Sequence, residues 1–236
     1  MKFEHLAGKR ALGSAQAKDY TDWAVSLLCE GCDSESVAIL AGIGLDKETG
    51  SEEIEKYFQK SLKELALSLP PHEESLRIYA EYLCKQIVAG ELEPEKGLSI
   101  LEAFYSCSNY DEPIYSIWDT LGEDVWSVNN RFDCTFNSDL TRENLGSYIR
   151  DVAGLFLRLT KVELPKNLFS MYLCQKCGYL GEHALEQIDK PWLPEKLYRF
   201  FYRRGPTYRS VCAKCREPYP KSMSNFEGLK LYLDQR

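Results

Sequence analysis

Four cysteines towards the C-terminus are the residues whose type and spacing best define a chemistry. Cys174-Gln-Lys-Cys177 and Cys212-Ala-Lys-Cys215 are two C-x-x-C hooks separated by 34 residues. Each hook sets two thiols on one tight turn. Together they offer the four thiolates that close a tetrahedral zinc shell, with no position left for water. Such an ion is structural. Catalytic zinc needs an open position, and no His-Glu-x-x-His occurs in the chain and no His-x-Glu partner near the hooks. Two redox dithiols would need the strand–helix setting of a thioredoxin-like site, which the flanking residues do not spell. The hooks echo one another. Leu173 and Val211 lead in, Lys176 and Lys214 share a slot, and with Arg216 these cations offset the negative charge of a tetrathiolate site.

This arrangement resembles a zinc ribbon over residues 170–220. The resemblance implies a small β module holding one structural zinc through Cys174, Cys177, Cys212 and Cys215. Gly178 after the first hook suits a backbone that turns back with positive φ. Arg216 stands at the same place after the second, and the spacer is long for a ribbon. Residues 194–202, Pro-Glu-Lys-Leu-Tyr-Arg-Phe-Phe-Tyr, read as helix, so a ribbon with a helical insertion between its knuckles is expected.

The insertion supports two readings. Arg199, Arg203, Arg204 and Arg209 could hold phosphates while Tyr202 or Tyr208 stacks on bases. Alternatively, Leu197, Phe200, Phe201 and Tyr202 pack the small module and the arginines are solvated or paired with acidic residues of the body. Charge favours the second. Residues 190–221 hold nine basic residues against two acidic ones, leaving twenty against thirty-four elsewhere. An acidic body offers those arginines an intramolecular partner and repels nucleic acid.

The elements that position the hooks are helical. After an aperiodic arm at 1–18, Trp23, Leu27 and Leu28 mark a helix stopped by Gly31. Asp33 or Ser34 caps a second, bearing Val37, Leu40 and Ala41. Thr49 and Glu52 form a candidate capping box for a third, with Ile54, Phe58, Leu62, Leu65 and Leu69 on one side. A fourth from His72 to Ala89 buries Leu76, Tyr79, Ala80, Leu83, Ile87 and Val88. Two more begin near Pro94 and Asp111. Around Asn129-Asn130, residues 125–136 allow a hairpin, with an irregular loop as the alternative. Thr141 opens a long helix through Leu145, Ile149, Val152, Phe156 and Leu159. Ser224 and Glu227 would cap a last helix with an apolar face. The expected fold is mainly α: a helical bundle over 1–165, a small C-terminal β zinc ribbon over 166–221, and a helix over 222–236 packing back.

With 44% hydrophobic residues and a net charge of −7, the chain can fill a core. No apolar run reaches membrane-spanning length, and Met1 to Ser14 lack the apolar stretch of a secretory signal. A cytoplasmic protein without a membrane partner is expected. The five other cysteines fit that compartment as reduced thiols, Cys29-Glu-Gly-Cys32 among them. No phosphate loop, nucleophile elbow or dinucleotide turn is present. The leading reading is a non-enzymatic protein-interaction or regulatory protein whose acidic surface suits a basic partner, a toxin-neutralising protein being one instance. The alternatives are a nucleic-acid-binding protein using the ribbon insertion, and an enzyme whose site is dispersed in sequence.

Overall fold

The computed structural model describes residues 1–43, 50–189, 192, 194–202 and 205–236. The fold is mainly α with a small antiparallel β element near the C-terminus. The chain forms two compact units, Met1–Glu112 and Pro113–Arg236. The ribbon therefore shares its unit with the last helices of the chain.

The first unit contains α1 (Phe3–Ala11), α2 (Ala17–Cys29), α3 (Glu35–Ile43), α4 (Ser51–Glu64), α5 (His72–Ala89), α6 (Pro94–Leu101) and α7 (Ala103–Cys107). Its core joins Leu6, Tyr20, Trp23, Val37, Leu40, Ile54, Phe58 and Leu62, with Trp23 set edge-on to Phe58 at 5.4 Å. Ser34 caps α3, accepting the Val37 N–H at 3.2 Å. The proposed Thr49 box lies outside the described residues, and Gly50 precedes α4.

Three expectations change here. The N-terminal arm is the helix α1, with Leu6 fully buried. Its contact surface is built from small residues, Ala7 and Gly8 among them, so the apolar period is faint. A Cβ at Gly8 would fall 2.2 Å from Tyr79 Cβ, which is how closely α1 approaches α5. Gly8→Ala is therefore expected to cost about 1–3 kcal/mol by urea denaturation; a loss below about 0.5 kcal/mol would refute the close approach. The second change is the end of α4, which stops at Glu64 instead of running to Leu69. Ala66 turns left-handed at φ 50°, with Ala66 N–H bonded to the Lys63 carbonyl and Leu67 N–H to the Leu62 carbonyl. This is a Schellman closure, and it leaves Leu69 exposed. Third, Val88 on α5 faces solvent while the other five residues of its stripe are buried.

The second unit opens with a short 3-10 turn (Pro113–Tyr115), then α8 (Ser116–Asn129) and α9 (Leu145–Leu159). Leu145, Ile149, Val152, Phe156 and Leu159 are buried as the 3.6-residue period requires, and Trp118 packs on Phe156 at 5.3 Å. The helix starts at Leu145, later than Thr141, whose N–H donates to Asn144 Oδ1.

The segment 125–136, open to a hairpin or an irregular loop, is the end of α8 followed by loop. Val125–Val128 complete α8, because Leu121, Asp124 and Val128 also fit a helical face. Asp124 is fully buried, and its carboxylate accepts the N–H groups of Thr135, Phe136 and Asn137. Those donors are unavailable to a strand ladder.

The ribbon comprises β1 (Tyr172–Leu173), β2 (Leu180–Gly181), β3 (His183–Gln187), α10 (Glu195–Tyr202), β4 (Tyr208–Cys212) and β5 (Lys221–Ser222), and α11 (Phe226–Asp234) follows. The sheets run β2-β1-β5 and β3-β4, all antiparallel. Asn225, not Ser224, caps α11 by accepting the Gly228 N–H at 3.0 Å. Helix α11 packs on α9 and β5, with Phe226 against Tyr148 at 5.0 Å and Asp234 paired to Arg158 at 2.9 Å.

Candidate metal centre

The two hooks fold alike because each closes the same pair of backbone bonds. Gly178 N–H donates to the Cys174 carbonyl at 2.9 Å, and Arg216 N–H to the Cys212 carbonyl at 3.0 Å. Cys174 N–H then reaches the Tyr179 carbonyl at 2.9 Å, and Cys212 N–H the Glu217 carbonyl at 2.8 Å. One knuckle lies in the β1–β2 hairpin. The other is closed by the Val211–Pro218 bridge. Both residues after the hooks are left-handed, Gly178 at φ 67° and Arg216 at φ 63°.

The side chain at Arg216 therefore sits on a backbone conformation that suits glycine. Arg216→Gly is expected to stabilise the ribbon by about 0.5 kcal/mol, the relieved strain being partly offset by glycine's extra unfolded-state entropy. Gly178→Ala, at the equivalent position, is expected to cost about 1 kcal/mol. Thermal melts of both variants should move in opposite directions; equal signs would contradict the shared geometry.

The knuckles bring the four Sγ atoms within 4.8 Å of one another. Cys174 and Cys215 stand 3.6 Å apart, and Cys177 and Cys212 3.7 Å apart. A tetrahedron with metal–sulfur bonds of about 2.3 Å has edges of about 3.8 Å. The sulfur spacing thus fits a single four-coordinate ion, where a disulfide would require about 2.05 Å. Cys174 and Cys212 are buried, Cys215 is half-buried and Cys177 is exposed.

Burial opposes ionisation of Cys212, but the N–H groups of Cys215 and Lys214, with the neighbouring thiols, outweigh it and bring this thiol down to about 6. The Lys214 N–H contacts Cys212 Sγ at 3.4 Å. Lys176 joins the two knuckles by an ion pair to Glu217 at 2.6 Å, and its proton is held more tightly for that reason first, then through the charges of Cys215 and Cys174. The basic slot of the first hook thus serves the site's charge and its architecture together.

The histidines stand apart from the cluster. His183 pairs in register with Cys212 and packs on Tyr172 at 4.1 Å. His72 bonds the Cys107 carbonyl at 2.8 Å, and His5 stacks on Tyr82. Cys29 and Cys32 lie at the end of α2 and join no group of three or more metal-ligating side chains among the described residues.

The insertion helix forms where expected but faces differently. Tyr198 is buried, and Tyr202 packs on it at 4.8 Å. Leu197, Phe200 and Phe201, expected to pack the module, are exposed, and Tyr202 is at its margin with 42% of its surface accessible. Two stripes compete on one short helix, and the tyrosine stripe turns inward.

Neither do the described arginines reach out freely. Arg199 binds Glu195 at 2.7 Å, and Arg209 binds Glu186 through Nε at 2.8 Å and Nη2 at 2.6 Å. Glu195 also meets the Tyr208 hydroxyl at 3.5 Å. Arg203 and Arg204 lie outside the described residues. The partners Glu186, Glu195 and Glu217 carry no sequence motif; an i,i+4 spacing flags only the Glu195–Arg199 pair.

No family model, curated protein or solved structure matches this chain.

Proposed function

We propose that this is a non-catalytic binding protein in which one zinc ion shapes the C-terminal ribbon and the acidic N-terminal unit takes a basic protein partner. The observation that carries the first half is the sulfur spacing. Four thiols within 4.8 Å, with two pairs near the tetrahedral edge, can fill every coordination position, so an ion there would hold the fold and leave no site for substrate. Zinc is preferred to iron because a tetrahedral four-sulfur shell suits it and zinc binds more tightly in the divalent series.

Charge division supports the second half. Residues 1–112 hold twenty-one acidic against eleven basic residues, whereas residues 113–236 hold fifteen against eighteen. Helices α2 and α4 also line a groove of about 640 Å³ that mixes apolar Ala15, Ala17, Tyr20 and Ile54 with Glu52, Lys56 and Glu55, the last bound by Arg10. A concave, partly apolar surface on an acidic unit suits a basic protein segment, with the charge of the unit speeding the encounter. A protein that neutralises a basic toxin would use the same chemistry. Nucleic-acid binding is the weaker reading, because Arg199 and Arg209 are already engaged by carboxylates.

Elemental analysis of the purified chain is expected to find one zinc per chain. Gel shifts against mixed DNA and RNA at two salt concentrations are expected to show no complex. Iron in place of zinc would change the metal assignment. A salt-sensitive shift would instead favour the nucleic-acid reading.

A further inference from the structure

The ribbon ends in an apolar surface that the module leaves in water. Trp192 is 76% exposed, Phe200 79%, Phe201 64% and Leu197 48%. Leu197, Phe200 and Phe201 follow the i, i+3, i+4 spacing of one helical face, while Tyr198 turns inward. Exposed aromatic side chains of this size, concentrated in ten residues, mark an interaction surface rather than a random surface scatter.

Position and charge narrow the partner. Helix α10 lies in the connection between the ends of β3 and β4 that are farthest from the metal knuckles. The β3–β4 ladder spans five pairs, from His183–Cys212 to Gln187–Tyr208. At about 3.4 Å per residue the α10 connection leaves the sheet about 14 Å from Cys212. The sequence of this segment is basic. Residues 190–204 contain Lys190, Lys196, Arg199, Arg203 and Arg204 against Glu195 alone, and Glu195 is paired with Arg199.

We propose that this end of the ribbon is a membrane-adsorbing tip that seats Trp192, Leu197, Phe200 and Phe201 in the headgroup boundary of an anionic bilayer. Trp and Phe beside Lys and Arg is the composition that this boundary accepts: rings enter the acyl edge and cations stay among phosphates. The two contributions reinforce each other, as stable peripheral binding requires. Adsorption needs no spanning segment. No described helix is long and apolar enough to cross a membrane, and the eight residues of α10 cover about 12 Å of the roughly 30 Å hydrocarbon core. Nucleic acid fits this face less well, because Leu and Phe donate no hydrogen bonds and Arg199 and Arg209 are engaged. The sequence expectation of no membrane partner rested on the missing span and did not address this surface.

The test is co-sedimentation of the full, metal-loaded chain with vesicles of phosphatidylcholine containing 30% phosphatidylglycerol, and with phosphatidylcholine alone. Partitioning onto the anionic vesicles is expected to exceed that onto neutral ones by about tenfold and to fall with salt. The double variant Phe200→Ser, Phe201→Ser should lose at least tenfold while keeping its metal content and circular dichroism. Trp192→Phe should still bind but lose the blue shift in tryptophan emission. A chain that stays in the supernatant with anionic vesicles overturns the proposal, as does a double variant that binds like the parent. Sedimentation showing a dimer that the double variant abolishes, without vesicle binding, would assign the face to a second copy. A nucleic-acid complex lost in the same variant, again without vesicle binding, would assign it to nucleic acid. None of these outcomes depends on the partner of the acidic unit, so the two readings fail separately.

Discussion

Cys212→Ser is expected to strip the metal from the protein and unfold the ribbon. Zinc held by four thiolates contributes on the order of 10 kcal/mol to a small module that is not preformed without it. Here the dependence is plain from the elements. The strands β1, β2 and β5 are two residues each, far too short to hold a sheet by their own ladder bonds. The knuckle turns are joined across the site by the sulfur atoms and by the Lys176–Glu217 pair, the latter an exposed ion pair of small worth.

Metal content should drop from one equivalent to about a tenth or less, and the ribbon should become sensitive to protease. Helical circular dichroism from residues 1–112 should persist, since none of the four thiols belongs to that unit. Cys29→Ser is the control: this thiol is exposed, outside the cluster, and its loss should leave the metal content unchanged. Acidification should release the ion as well, because the ligands must be thiolates. A Cys212→Ser chain that retained a full equivalent of metal would overturn the assignment of the site.

Asp124→Ala should produce the largest loss of stability outside the metal site, about 3–4 kcal/mol by chemical denaturation. The carboxylate is fully buried and accepts from Thr135 N at 2.6 Å, Phe136 N at 3.1 Å, Asn137 N at 2.6 Å and Asn137 Nδ2 at 2.9 Å. Removing it leaves several donors facing a cavity, and an unsatisfied buried donor costs about 1–3 kcal/mol.

The effect should spread. Asn137 Oδ1 accepts the Tyr148 hydroxyl and the Phe226 N–H, each at 3.2 Å, so the same residue links α9 to the start of α11. Asp124→Asn keeps the volume and one acceptor and is expected to cost less, about 2 kcal/mol. The order parent, Asn, Ala is the signature of a carboxylate organising backbone. A neighbouring substitution, Ser138→Ala, should change stability by less than about 0.5 kcal/mol, because that side chain is exposed. If Asp124→Ala behaved like Ser138→Ala, the network would have no energetic role.

Why some of this was legible in the sequence follows from the range of the forces involved. Helix α9 could be read from its stripe because one side of it is buried throughout and the period is uninterrupted over fifteen residues. Helix α1 could not, since Gly8 is placed by its approach to α5 and Leu6 by the core of α2, α3 and α4, all distant in sequence. The Schellman turn at Ala66 escaped for another reason: alanine carries no signal for positive φ. Asp124 escaped because a carboxylate in a helix between Glu123 and Val125 looks like any solvated acid until the loop at 135–137 is folded over it.

By itself the sequence determined the mainly helical character and the four sulfur donors, because a C-x-x-C hook is a local structure whose geometry needs only adjacent residues. Tertiary structure alone decided which face of α10 is covered. Tyr198 with Tyr202, and Leu197 with Phe200 and Phe201, are both apolar stripes at helical spacing, and periodicity cannot rank them. Burial is a sum over neighbours brought from elsewhere in the chain, and here it falls on Tyr198. The same non-local sum left Trp192, Phe200 and Phe201 in water.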